Sequence, residues 1–319
     1  MSTIRVAVVQ AYVPRSLEKG LATAADRCAA ASADGATVVV FPETWLPGYP
    51  AWLDVCRDVA LWDHAPVKKV YARMASQSIA VPSEAARALA DIAAAHRITL
   101  VMGVSERVDE GAGRGTLYNS ILTFGPDGAL LNHHRKLMPT YTERMVWGAG
   151  DADGLRAVNV GDARLSALVC WEHWMPLARQ ALHESGEDVH AALWPTVHEM
   201  HQVASRHYAF EGRCFVLAAG SLMRAVDLPP ELERAESRVT SDTQFVLRGG
   251  SAIIAPDGAY VAGPLYEEEA ILAATLDLSR VREERMTLDV TGHYHRPELL
   301  SLTVTRSGRP VTTPSPART

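Results

Sequence analysis

Along this chain, short runs of β-branched residues alternate with longer stretches whose apolar positions return every three or four residues. Ile4–Val9 is such a run and predicts a buried strand. The stretch after it puts Leu17, Leu21 and Ala25 on one face, with Gly35 past its end as a C-cap, and predicts a helix. Thr37–Phe41 (TVVVF) is the next buried strand; Pro42 stops it and Glu43 stands at its carboxyl end. Ser83–Arg97 is Ala-rich and amphipathic, hence helical, and Ile98–Val104 is another strand. A hairpin follows: LYNSILTF, the turn GPDG, then ALLNHHRK.

The second half repeats this grammar. Arg164–Val169 predicts a strand ending at Cys170, Pro176–Glu184 a helix, and His190–Trp194 a strand stopped by Pro195 as Phe41 is by Pro42. A helix is expected from Gln202 to Gly212. Cys214–Gly220 (CFVLAAG) parallels Ile98–Gly103, and IIAPDGAYV answers TFGPDGALL. The spacings between matched elements vary, so this is not a solenoid period. It predicts an α/β fold with pseudo-duplicated halves, packed sheet on sheet with helices outside. Residues 223–245 turn polar and charged, the pattern of a surface insertion. From Arg306 the chain is rich in Pro, Ser and Thr, which predicts a disordered tail over 306–319 and a single domain over 1–305.

Composition narrows the function classes. The 319 residues are 48% hydrophobic and 21% charged, enough to bury a sizeable core. The net charge of −6 is spread along the sequence, with no basic run to form a nucleic-acid surface. The four cysteines, Cys28, Cys56, Cys170 and Cys214, form no CxxC pair and read as free thiols of a reducing compartment, by default the cytoplasm. The opening MSTIRVAVVQ is broken by Arg5 and Gln10, so it reads as a strand rather than a signal peptide, and no run is long enough to span a bilayer.

Three reactive side chains stand at predicted strand ends: Glu43, Lys136 and Cys170. In α/β sheets such ends are where a site is assembled from distant parts of the chain. A cysteine at a strand-to-helix turn has backbone N–H groups nearby to stabilise an oxyanion; a lysine adds positive charge, and a carboxylate moves protons. Taken singly, each residue also fits a bland role: a small buried hydrophobe, a cap, a surface charge. Twelve histidines include His133–His134, His198-x-x-His201 and His293-x-His295, but no HExxH or Cys/His zinc spacing, so no metal or organic cofactor is expected.

The surrounding letters change those odds. FPETWLPGYP, HRKLMPTYTERMVWGAGD and CWEHWMPLAR, in this order, resemble the nitrilase superfamily of carbon–nitrogen hydrolases, and specifically its nitrilase branch. The likeness continues through WPT, HYAFEGRCFVLAAG, GGSAIIAPDGAYVAGP and GHYHRPELLSL, from Ile4 to about Thr305. It implies a four-layer α-β-β-α sandwich and a Glu–Lys–Cys triad falling on Glu43, Lys136 and Cys170. It implies a second active-site glutamate at Glu143, and pocket positions at Tyr49, Thr140, Trp147 and Trp171. The implied activity is hydrolysis of a small-molecule nitrile to acid and ammonia through a cysteine adduct. The implied assembly is a homo-oligomer, a dimer or a larger spiral. One departure concerns the rim: after WPT the chain runs straight into VHEMHQVASRHYAFEG, where many nitrilases carry a longer loop.

Two other readings stand beside this one. An amidase or carbamoylase of the same superfamily would use the same triad. A binding protein could keep the fold without the chemistry. His173, three residues after Cys170, could also pass for a catalytic base, although the motif context gives that role to Glu43.

Overall fold

The computed structural model describes residues 2–309. In chain order its elements are β1 (Thr3–Gln10), α1 (Leu17–Ala33), β2 (Val38–Val40), α2 (Trp52–Val55), α3 (Ala65–Gln77), α4 (Glu84–His96), β3 (Thr99–Arg107), β4 (Leu117–Phe124), β5 (Leu130–Arg135), β6 (Val158–Val160), β7 (Ala163–Val169), α5 (Pro176–Glu184), β8 (Val189–Leu193), α6 (Glu199–Gly212), β9 (Phe215–Ala219), β10 (Leu222–Arg224), β11 (Phe245–Ile254), β12 (Tyr260–Tyr266), β13 (Ala270–Asp277) and α7 (Ser279–Arg285). One sheet has the order β13-β1-β2-β3-β4-β5; the other runs β10-β11-β9-β8-β7-β6, with β12 also on β11.

The duplication is visible in the pairing. β1, β2 and β3 are parallel, and β4 and β5 continue antiparallel. β7, β8 and β9 are parallel in the same way, and β11 and β12 continue antiparallel. An antiparallel strand flanks each set, β13 beside β1 and β6 beside β7. Even the helix ends match: Arg97 after α4 and Arg213 after α6 both cap in the left-handed conformation, where glycine is usual, before the chain enters β3 or β9.

Alternation along the strands builds the layers. In β1, Ala7 and Val9 join a cluster with Ala24 and Cys28 of α1 and Leu89 and Ala93 of α4, on the outer face of the first sheet. Val6 and Val8 point the other way, into a cluster shared with Val169, Leu193 and Ile253 of the second sheet. Ala181 and Leu182 of α5 and Ala204 and Ala209 of α6 cover that sheet's far face. The result is the expected α-β-β-α sandwich, driven by burial of apolar area on both faces of each sheet.

The structure refines one local expectation. Residues 223–245 lie mostly at the surface as expected, but Met223, Ala225, Leu228, Leu232 and Val239 are buried in a third cluster with Tyr49, Trp52, Leu53 and Val70. Single apolar residues spaced among charges are enough to pin an irregular segment. Of the expected tail, Arg309 reaches Asp151 (Nε to Oδ2, 3.0 Å) and the His133 carbonyl (3.1 Å), while 310–319 lie outside the described residues. Among the described residues no helix is long and apolar enough to cross a membrane.

Candidate active site

Three strand ends converge because the backbone stitches them together. Glu43 follows β2 by way of Pro42, and its N–H donates to the carbonyl of Trp194, just past β8 in the other sheet (3.3 Å). Gly103 of β3 permits this approach: a Cβ there would lie 2.1 Å from the Pro42 carbonyl oxygen and 2.9 Å from the Glu43 Cα. Lys136 follows β5, and its N–H donates to the Asn119 carbonyl of β4 (2.8 Å). Cys170 follows β7 and opens a 3-10 turn, Cys170–Trp174. The buried Glu172 carboxylate accepts the N–H of Val169 (2.7 Å) and of Leu137 (2.7 Å) and takes His134 Nε2 (2.9 Å), so it clamps the cysteine strand to the lysine segment.

Backbone strain gathers at the same place. Thr44, Tyr141 and Cys170, each in or beside a site segment, have φ of 40°, 39° and 50°. Left-handed non-glycine residues cost on the order of 1–3 kcal/mol each and persist where surrounding structure over-determines them.

At the centre, the fully buried Lys136 Nζ donates to Glu43 Oε1 (3.0 Å) and Glu143 Oε2 (2.6 Å). Asn119 Nδ2 donates to the same Glu43 Oε1 (2.6 Å), which leaves Oε2 buried without a partner. Glu143 is held by the Thr140 N–H (2.8 Å) and the Tyr49 hydroxyl (3.0 Å). Cys170 Sγ and one oxygen each of Glu43 and Glu143 lie within 4.8 Å of one another. Such a set could hold a metal ion, but the Lys136 ammonium already bonds to both carboxylates and supplies the cation. The cluster opens on a cavity of about 490 Å³.

Burial pushes the Glu43 carboxyl up to about 7, with Lys136 opposing and Glu143 reinforcing the shift. Burial also raises the Cys170 thiol well above its ordinary value; Glu43 adds to that, while Lys136 and the Trp171 N–H oppose it. Burial alone would lower Lys136, but Glu43, Cys170 and Glu143 outweigh it and hold the ammonium above its ordinary value. The resting cluster is therefore a neutral thiol, a permanent cation and a carboxyl group that changes protonation near neutrality. It can take a proton from sulfur when an electrophile arrives, and the cation can stabilise the negative charge that develops.

Of the four expected pocket residues, Tyr49, Thr140 and Trp171 line the cavity, and Trp171 is 53% exposed at its mouth. Trp147 does not line it: the indole is buried, donates to Ser105 Oγ (3.2 Å) and backs Tyr49 at 6.1 Å between ring centroids. His173 is also buried, and both its ring nitrogens are engaged away from the thiol, with the Cys170 carbonyl and His190. Sequence reasoning missed Asn119 and the clamp residue Glu172. Arg238, Phe245 and Leu247, from and just beyond the charged 223–245 segment, also reach the cavity. Asn119 stood in the quoted hairpin with no charge to draw notice.

The carbon-nitrogen hydrolase family profile matches residues 5–286. A bifunctional nitrilase/nitrile hydratase of Lupinus angustifolius is 40% identical over 313 residues, 95% of this chain and 86% of its own length. An aliphatic nitrilase of Sinorhizobium fredii is 39% identical over 307 residues, 95% of this chain and 96% of its own. Among solved structures, a carbon-nitrogen hydrolase from Helicobacter pylori superposes with a TM-score of 0.68 at 18% identity, over 93% of this chain and 97% of that one, a likeness of fold. With the profile spanning both sheets and these relatives matching nearly end to end, the chain belongs to the carbon–nitrogen hydrolase family, in its nitrilase branch.

Proposed function

We propose that this protein hydrolyses a small-molecule nitrile to its carboxylic acid and ammonia, with Cys170 as nucleophile, Glu43 as general base and acid, and Lys136 and Glu143 beside them. The observation that carries the reading is the unpartnered Glu43 Oε2: its twin oxygen is fixed by Asn119 and Lys136, while Oε2 is left free in the cluster that holds the thiol. Glu43 accepts the thiol proton as sulfur attacks the nitrile carbon, and returns it to nitrogen to give a neutral thioimidate. Water adds, ammonia departs with a proton from Glu43, and a thioester remains. A second water, activated by the same carboxylate, releases the acid and restores the thiol. Lys136 and the Trp171 N–H face the charge that builds on nitrogen or oxygen. Glu143 orients Lys136.

A panel of nitriles and the matching amides, assayed for ammonia, tests this. Ammonia from nitriles with acid as product supports it; ammonia from amides alone makes the chain an amidase. Cys170→Ala should abolish turnover in a folded protein, and turnover retained in that variant would overturn the nucleophile.

The same reading includes a homo-oligomer. Leu177 of α5 and Met200, Val203 and Phe210 of α6 leave exposed apolar groups on the outer helices of the second sheet, a surface suited to helix-on-helix packing. A monomeric mass by light scattering at micromolar concentration would contradict it. All four cysteines are free and buried, which suits a reducing compartment such as the cytoplasm.

A further inference from the structure

Behind the nucleophile, on the side away from the cavity, lies a line of buried polar side chains that the mechanism above does not use. His173 Nδ1 contacts the Cys170 carbonyl at 2.7 Å. A carbonyl can only accept, so Nδ1 carries the proton. His173 Nε2 lies 3.0 Å from His190 Nε2. His190 Nδ1 lies 2.6 Å from Ser166 Oγ and 3.2 Å from Glu187 Oε2, and Ser166 donates to that same carboxylate oxygen. Glu187 Oε1 accepts from the Tyr208 hydroxyl (2.7 Å) and takes His183 Nδ1 (2.7 Å). Every one of these side chains is buried, and the rings are clamped by stacking: His173 on Trp194 at 4.7 Å and His190 on Tyr208 at 3.8 Å. Three residues of one strand-to-strand unit (Glu187, His190, Trp194) thus hold one residue of the nucleophile turn.

The held group is the peptide between Cys170 and Trp171. Its carbonyl accepts from His173, and its N–H is that of Trp171, the residue directly after the nucleophile. Cys170 is in the left-handed conformation, so this peptide is one the backbone would not choose unaided. Rotation of its plane would turn the N–H away from the reacting atoms. A donor on the carbonyl prevents that rotation and, by polarising the amide, strengthens the N–H as a donor. Burial, reinforced by His190, keeps His173 well below its ordinary pKa and therefore neutral. With its single proton committed to the carbonyl, His173 Nε2 is left as an acceptor facing His190 Nε2.

We infer that His173, oriented by His190 and the Ser166–Glu187 pair behind it, is a positioning residue that locks the 170–171 peptide so that the Trp171 N–H points at the charge formed during attack. The inference rests on Cys170 being the nucleophile, and it adds a part that touches neither substrate nor sulfur. It also separates two reactions of the same thiol. Attack on a nitrile builds charge on nitrogen and needs the locked N–H. Alkylation by iodoacetamide displaces iodide from carbon and builds no charge at that position.

The experiment uses the full chain and compares His173→Leu, His173→Asn, His190→Leu, His173→Asn/His190→Leu and Cys170→Ala. For each, kcat and KM for a nitrile are measured beside the rate of Cys170 alkylation by iodoacetamide, read by intact mass. In His173→Leu, kcat should fall about 10–100-fold, the scale of leaving a buried carbonyl without its donor. KM and the alkylation rate should stay within about twofold of the parent, close to the scatter of non-interacting changes. His173→Asn, whose amide can donate to the same carbonyl, should recover most of the lost kcat. If His173→Leu does not fold, the asparagine variant still decides the matter. His190→Leu should lower kcat in the parent but not in the His173→Asn background, because asparagine takes no orientation from His190. Unchanged kcat in His173→Leu, an equal fall in alkylation, no rescue by asparagine, or additive losses in the double variant would each overturn the relay. Turnover in Cys170→Ala would instead remove the nucleophile on which it depends.

Discussion

Glu43 and Glu187 are the same residue type, both almost wholly buried, each at the end of a strand or just before one, yet their surroundings drive them in opposite directions. Glu43 is pushed up to about 7 by burial, and one of its oxygens has no partner. Glu187 meets the same desolvation, but hydrogen bonds and charge from His183 and His190 pull it down to about 2, and both its oxygens are taken. His183 in turn rises to about 9: burial would lower it, and Glu187 and Glu211 more than reverse that. The lesson is that depth alone does not mark a reactive carboxylate. An incomplete set of partners does, because an unspent lone pair is what chemistry can use, whereas a completed set makes a brace.

That contrast can be broken by substitution. Glu43→Gln should slow adduct formation on the thiol by about 10²–10⁴, the usual worth of a general base, while thermal stability stays level or rises, since a group held above its ordinary pKa is a cost to the fold. The sign follows from proton counts. Between pH 4.5 and about 7 folded Glu43 holds more proton than the unfolded chain does, so stability drops as pH rises through that window and the cost stays in place above it. A variant that melts well below the parent would mean Glu43 braces the fold instead.

Glu187→Gln should behave in the reverse manner. Removing one partner of a buried ionic network costs about 3–5 kcal/mol of stability. Turnover measured well below its melting transition should fall by no more than about 10–100-fold, the scale of one lost buried hydrogen bond. In the parent, this carboxylate's contribution is present above pH 4.5 and is lost as pH falls from there toward about 2. Urea melts at pH 3 and pH 6 on parent and variant measure it, and a stability gap that does not narrow at pH 3 would refute the assignment.

The smallest effect concerns where Glu43 titrates. The pH profile of kcat/KM should rise through about pH 7 as this carboxyl ionises, and the rise should vanish in Glu43→Gln. Asn119 donates to the ionised form, and a hydrogen bond to a charged group is worth about 1.5–3 kcal/mol, so Asn119→Ala should move the rise upward by about one unit. A downward move would show that Asn119 does not hold the anion.

How much of this could be read from the letters differs from residue to residue. Glu43, Lys136 and Cys170 were legible because each ends an apolar run and sits in a long distinctive motif, and the paired PDG turns already announced two similar halves. Asn119 was not, because its two jobs, a carbonyl for the Lys136 N–H and an amide for Glu43, exist only once β4 lies beside β5. Glu172 lay unremarked in the cysteine motif and His173 was noted only as a neighbour of the cysteine, because their remote partners cannot be read from the letters: His134 and Leu137 lie 38 and 35 residues before Glu172, and His190 stands on another strand. Trp147 carries the same amphipathic ring as Trp171, and nothing in its motif says that the indole N–H would face Ser105 rather than the cavity. The apolar anchors within 223–245 were hidden because they follow no period.

Among the described residues, the strand synthesised last completes the first sheet. β13 pairs with β1 along eight residues, from Thr3 with Asp277 to Gln10 with Ala270. At 5–20 residues added per second, β1 waits roughly 13–50 seconds for that partner. Throughout that wait a valine-rich strand offers one whole row of amide and carbonyl groups to any other nascent chain in the same condition. Slowing translation after β12 would lengthen that exposure without altering a single contact of the finished molecule.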